Sequence, residues 1–291
     1  MTPVTDAPPV TSLATRLDRL YQDYNREDSA TDPVQIVRRY TIPADQEIVG
    51  FCVAALAFGR VASVLQSIER VLAIAGPSPA EYVRAFDPKR EGKAFTKVVH
   101  RWIRGRDIVA LVWLVRQMID RSGSIEGFFA EHESDTDVGP MLERFSTRAL
   151  AMDVRSRGVC YFFPRPSAGS ACKRLNLFLR WMVRRDQLDL GVWTRLAPSK
   201  LVIPLDTHVI RVGRCLRLTR YASPGWRMAH DITASLRRFD PDDPVKYDFA
   251  LCHLSMRNPK LSTLKAELSK LRLEPSESRT RQPSRPPFAR P

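Results

Sequence analysis

The chain has 291 residues, of which 44% are hydrophobic and 9% aromatic, enough apolar material for a buried core and too much for a chain disordered throughout. Its 46 Lys and Arg against 32 Asp and Glu leave a formal charge of +14, a field that favours polyanions but equally describes a solvated basic surface or contact with anionic lipid. Cys52, Cys160, Cys172, Cys215 and Cys252 include no C-x-x-C pair, so neither a zinc ribbon nor a disulfide framework is indicated.

Taken in chain order, residues 1–11 are rich in Pro and Thr and are predicted to be disordered. Met1 to Val10 lack the charged start and apolar run of a secretory signal, and no apolar stretch approaches the ~20 residues that span a bilayer. A soluble, cytoplasmic, monomeric protein with no membrane contact is the expectation. From residue 12 to 274 apolar residues recur at spacings of three and four, as in Ile48, Phe51, Cys52, Ala55, Leu56 and in Ile108, Leu111, Val112, Val115, Ile119. Pro43, Pro77, Pro79, Pro140, Pro166, Pro198, Pro204, Pro224 and Pro244 read as helix starts or breaks. The prediction is an all-α protein of about ten to twelve helices, with no sheet of any size. No repeat of fixed period points to a solenoid. Residues 275–291 form a Pro- and Arg-rich tail, with Arg279, Arg281, Arg285 and Arg290, also predicted to be disordered.

Phe162 to Trp181 reads as a turn feeding a helix, with Ser167 or Ser170 as N-cap and Leu175, Phe178, Leu179 and Met182 on the buried face. Lys173 falls in the first turn, where the roughly +0.5 charge of a helix N-terminus and the adjacent Arg174 favour an amine over an ammonium. The plainer reading is a surface lysine on a basic helix. In Leu201 to Val212, Asp206 stands where the next helix begins, as a capping carboxylate; capping leaves it ionised and able to stabilise a developing cation.

These segments resemble the helix-hairpin-helix DNA glycosylases, of which endonuclease III is the familiar member. There a lysine ends a Gly-rich hairpin, a helix follows, and a Val-Asp-Thr-His segment supplies an aspartate. Here Lys173 and Pro204-Leu205-Asp206-Thr207-His208 are the counterparts, 33 residues apart, an interval closer to that of the archaeal 8-oxoguanine glycosylases. Asp243 to Cys252 is similar to the closing helix of those enzymes, in which an aspartate contacts the flipped base; Asp248 is its counterpart, and a carboxylate suits the donor edge of guanine. A half-buried Asp248 paired with Lys246 or an arginine is the competing reading. Over most of residues 13–258 the chain also looks like a family of uncharacterised bacterial proteins that share its Pro-Leu-Asp-Thr-His segment.

The resemblance implies two helical lobes flanking a DNA-binding cleft, one about 12–122 with the C-terminal helices and the other about 123–220. It implies a glycosylase with AP lyase activity, catalysed by Lys173 and Asp206 without a metal or other cofactor, on damaged duplex DNA. Asp248, Phe58 and Arg60 would meet the substrate, Phe58 and Arg60 as wedges; Gly169, Ser170, Arg174, His208 and Arg211 would contact DNA. The departures are a hairpin whose only glycine is Gly169 and the lack of cysteines after Cys252, which excludes the four-cysteine cluster of endonuclease III. A non-catalytic nucleic-acid-binding protein on the same scaffold is the alternative.

Overall fold

A computed structural model describes residues 13–26, 32–131, 136–152 and 157–272; the two predicted disordered ends, 1–11 and 275–291, lie outside them. Helices α1 (Leu13–Tyr24) and α2 (Val34–Val37) lead into α3 (Pro43–Leu56). Pro43 sits in the first turn of α3, where its missing N–H costs nothing, and every residue from Ile48 to Leu56 is buried. A helix apolar on all sides belongs at the centre. After α4 (Val61–Ala75), α5 (Pro79–Ala85) and α6 (Pro88–Glu91) comes a two-stranded hairpin, β1 (Val99–His100) and β2 (Ile103–Arg104), paired antiparallel. Strands of two residues carry no readable alternation, so the sequence pattern misses them.

Helix α7 (Gly105–Ser122) buries Ile108, Leu111, Val112, Val115 and Ile119, the predicted stripe. It is followed by α8 (Ile125–Phe129), α9 (Val138–Leu150) and α10 (Arg157–Phe162). Glu47 of α3 is buried and accepts the N–H groups of Ile125 (3.1 Å) and Glu126 (2.7 Å) and the indole N–H of Trp193 (2.8 Å). One carboxylate thus satisfies the start of α8 and ties it to the central helix.

The second half comprises α11 (Lys173–Val183), α12 (Thr207–Cys215), α13 (Trp226–Arg237), α14 (Asp248–Arg257) and α15 (Leu261–Arg272). Fifteen α-helices stand among the described residues, more than the ten to twelve expected, because several are single turns too short to show a helical period. The described residues are all-α apart from the hairpin. None of the described helices is long and apolar enough to cross a membrane. The buried apolar side chains form one contiguous cluster from Leu17 to Leu268. Helix α11 lies against α3, and α14 against α12 and α1. The α3–α11 approach is so close that a Cβ on Gly50 would lie 2.9 Å from the Met182 methyl.

Candidate active site

The turn before α11 is built from local bonds. Gly169 has φ 77°, the left-handed region that favours glycine, and Ser170 Oγ accepts the Cys172 N–H at 3.1 Å. Cys172, 1% exposed, holds φ 50° and is the N-cap, without a side-chain capping bond. The cap is therefore neither Ser167 nor Ser170; Ser167 instead donates its N–H and hydroxyl to Glu143. Lys173 is the first residue of α11, and Leu175, Phe178, Leu179 and Met182 form its buried face, as predicted.

The buried run Leu201 to Leu205 delivers Asp206 to the N-cap of α12. Its Oδ1 accepts from His208 N at 2.9 Å and Val209 N at 2.8 Å. Its Oδ2 turns the other way, 3.8 Å from Lys173 Nζ and 3.4 Å from the Cys252 Sγ that donates to it. Lys173 remains 41% exposed along its side chain and Asp206 only 16%. One oxygen caps a helix while the other faces an accessible amine.

Both residues line a cavity of about 340 Å³ walled by the α3–α4 turn, α11, α12 and α14, a size in the range that holds small ligands. Asp248, Phe249, Cys252, His253 and Met256 present one stripe of α14 to it, and Lys173, Leu177 and Arg180 one stripe of α11. Phe58, Gly59 and Val61 form the rim, with Val61 and Met256 half exposed. Burial, and then Asp206 and Asp248, push the Cys252 thiol far above its ordinary range, so it stays a neutral S–H donor. Desolvation lowers His253, which favours its neutral ring.

The floor is an ion network. Arg180, 2% exposed, donates Nη2 to Asp32 (2.5 Å), Nε to Asp189 (3.1 Å) and Nη1 to Asp248 (2.6 Å). Arg184 beside it binds Asp186, Asp189 and Asp243. Against these two guanidinium groups stand five carboxylates, an excess of negative charge. Burial pushes the Asp248 carboxyl up to about 7 against the opposing charge of Arg180, with Asp206 acting in the same direction as burial. It likewise pushes Asp189 to about 6, against Arg180 and Arg184.

A protein family of unknown function, DUF2400, matches residues 32–257, a span that holds every wall of this cavity. The chain belongs to that family. No curated protein and no solved structure matches it.

Of the residues singled out from the DUF2400 sequence, Lys173, Asp206, His208, Asp248 and Phe58 come together at the cavity. Asp248 is paired with an arginine, Arg180, rather than with Lys246, which binds Asp18 and Asp240. Four expected DNA contacts lie away from the cavity. Arg174 turns inward: it is 8% exposed, donates to the Tyr161 carbonyl and lies 3.5 Å over the Tyr161 ring, because the first turn of α11 aims it at the aromatic cluster under Phe58. Arg211 is spent on the end of α14, donating to the carbonyls of Ser255, Asn258 and Pro259, where a cation meets the negative helix terminus. Gly169 and Ser170 shape the turn outside the cavity. Arg60 is exposed at the N-cap of α4.

Sequence reasoning missed Asp32, Arg180, Phe249, Cys252 and His253. For the last three a signal existed: they stand one, four and five residues after Asp248, the same face of one helix. Asp32 and Arg180 are 148 residues apart and nothing local joins them.

Proposed function

We propose that this protein is a DNA glycosylase with AP lyase activity, working through Lys173 as nucleophile and Asp206 as its partner. The observation that carries the reading is the accessible Lys173 amine 3.8 Å from a carboxylate oxygen of Asp206, on one cavity. A scaffold that had kept only binding would have no need to bring these two groups together. The +14 charge supplies attraction to the phosphate backbone. The turn between α10 and α11, with left-handed Gly169, supports a helix-hairpin-helix glycosylase fold.

In this reading a damaged nucleotide swings out of the duplex into the cavity, at an unstacking cost of a few kcal/mol that damage reduces. The Lys173 amine attacks the anomeric carbon as the glycosidic bond breaks and its electron pair leaves with the base. Asp206 takes the proton the amine releases, and its charge stabilises the cationic sugar. The proton passes to the departing base. Ring opening gives an imine between Nζ and the sugar, and loss of a proton from the adjacent carbon expels the 3′ phosphate. Asp248 on the floor accepts from the N–H edge of a guanine-derived base, and Phe249 offers a ring face to the same ligand.

The experiment is borohydride trapping on duplexes that each carry one lesion. Wild type is expected to give a covalent adduct with at least one, an oxidised guanine first, and Lys173→Gln none while binding duplex within about threefold. An adduct from Lys173→Gln, or none from wild type on any lesion, sinks the reading and leaves a binding protein on the same scaffold.

A further inference from the structure

Between residues 92 and 106 the chain carries Lys93, Lys97, Arg101, Arg104 and Arg106 and no carboxylate. This stretch holds the β1–β2 hairpin, whose two-residue tip is Arg101 and Trp102. Arg101 has φ 54°, a conformation that costs a non-glycine residue and persists where the surroundings enforce it. The effect is to hold Trp102 outward, 45% exposed. Among the described residues neither Arg60 nor any of the five cations forms an ion pair.

The tip stands at the rim of the cavity. The Trp102 ring lies 4.9 Å from that of Phe58, which lines the cavity, and 5.1 Å from that of Tyr161, which Arg174 backs from below. His100 anchors the hairpin through Nε2 to the Phe58 carbonyl (2.9 Å) and Nδ1 to Ser67 Oγ (3.0 Å). Arg101 arches over Gly59, with its side chain 3.2 Å from where a Cβ would stand. A half-exposed indole on an anchored hairpin, with the Arg101 guanidinium 5.4 Å from its ring and further cations without ion pairs in the same stretch of chain, offers what a nucleic-acid strand requires of a protein: a stacking face for a base and charge for its phosphates.

We propose that the hairpin tip engages duplex DNA beside the extruded nucleotide, with Trp102 stacking on the base left without a partner on the opposite strand and Arg60, Arg101 and Arg104 on the flanking phosphates. This rests on the reading of the neighbouring cavity as the receiver of a base.

The test is fluorescence anisotropy of the full chain with two duplexes of one sequence, one undamaged and one carrying a tetrahydrofuran abasic analogue. Wild type is expected to prefer the abasic duplex. Trp102→Ala should weaken that complex roughly 5- to 100-fold, the effect of losing one stacked base, and leave the undamaged complex nearly unchanged. Trp102→Phe keeps a ring and should restore most of the preference. Arg60→Gln with Arg101→Gln should weaken both duplexes alike. Wild-type discrimination in Trp102→Ala, or equal weakening of both duplexes by it, overturns the proposal. If Trp102→Ala melts early, loss of preference retained in a folded Trp102→Phe overturns it too. Borohydride trapping reads the cavity separately: selective loss in Trp102→Ala without any adduct from wild type overturns the lysine chemistry alone, and an adduct without selective loss overturns only the hairpin.

Discussion

Asp206 serves two masters through its two oxygens, and substitutions can separate them. Asparagine caps a helix about as well as aspartate, so Asp206→Asn should leave the melting temperature within a degree or two and slow excision by about 10²–10⁴-fold, the contribution of one positioned acid–base or electrostatic group. Asp206→Ala should add a loss of about 1 kcal/mol in stability with the cap gone. Parallel melts and single-turnover rates check both. Asp248 carries a different signature. Its folded pKa of about 7 lies above the ordinary 3.8, so the folded state holds a proton that the unfolded chain releases between those values. The stability this contributes is complete below about pH 4 and is lost as pH rises through 7, with a slope of up to about 1.4 kcal/mol per pH unit. Asp189, at about 6, acts in the same sense. Asp248→Asn should therefore flatten the fall in melting temperature between pH 4 and 7; an unchanged profile refutes the assignment. Because only the ionised carboxylate is acceptor-only and can take both N–H groups of the guanine edge, excision of a guanine lesion should also rise with pH through about 7 in wild type and lose that rise in Asp248→Asn.

At the scale of elements, the α3–α4 turn and the hairpin are one mechanical unit joined at Gly59. Its φ of 105° strains any side chain, and a Cβ there would stand 3.2 Å from the Arg101 side chain, which would have to give by a few tenths of an ångström. Gly59→Ala should cost about 1–3 kcal/mol of backbone strain and displace Arg101, so thermal melting and abasic-duplex affinity should fall together; an unstrained, fully active variant contradicts that coupling. The same elements show what could be read in advance. The buried stripes of α3, α7 and α11 and the capping role of Asp206 were legible, because helical period and cap chemistry are local. The hairpin was not, its strands being two residues each, nor was the inward turn of Arg174, which depends on Tyr161 lying where a neighbouring helix puts it. The pairing of Lys173 with Asp206 was expected only through the resemblance, since 33 intervening residues carry no local rule that closes them to 3.8 Å.

For the whole molecule, the charge balance governs how DNA is met. If phosphates are neutralised by exposed cations, log affinity for an undamaged duplex should fall linearly with log salt, and Lys97→Gln with Arg106→Gln should reduce the slope by about 2. Titrations between 50 and 200 mM salt would show it, and a flat response would refute DNA as the partner. Removal of residues 275–291 should weaken binding modestly and equally across sequences while trapping by Lys173 continues.

The Arg180 hub has a consequence for how such a molecule comes into being. Its guanidinium waits on Asp32, already synthesised, and on Asp248, 68 residues downstream. At roughly 5–20 residues per second of synthesis that delay lasts several seconds, during which a cation destined for burial has only part of its counter-charge. Lys173 and Asp206 can exist in the growing chain before α14 arrives, yet the wall and floor that α14 supplies cannot. The reactive pair is thus held without a closed site until α14 has been made, and it is this late helix that turns two side chains into a chamber.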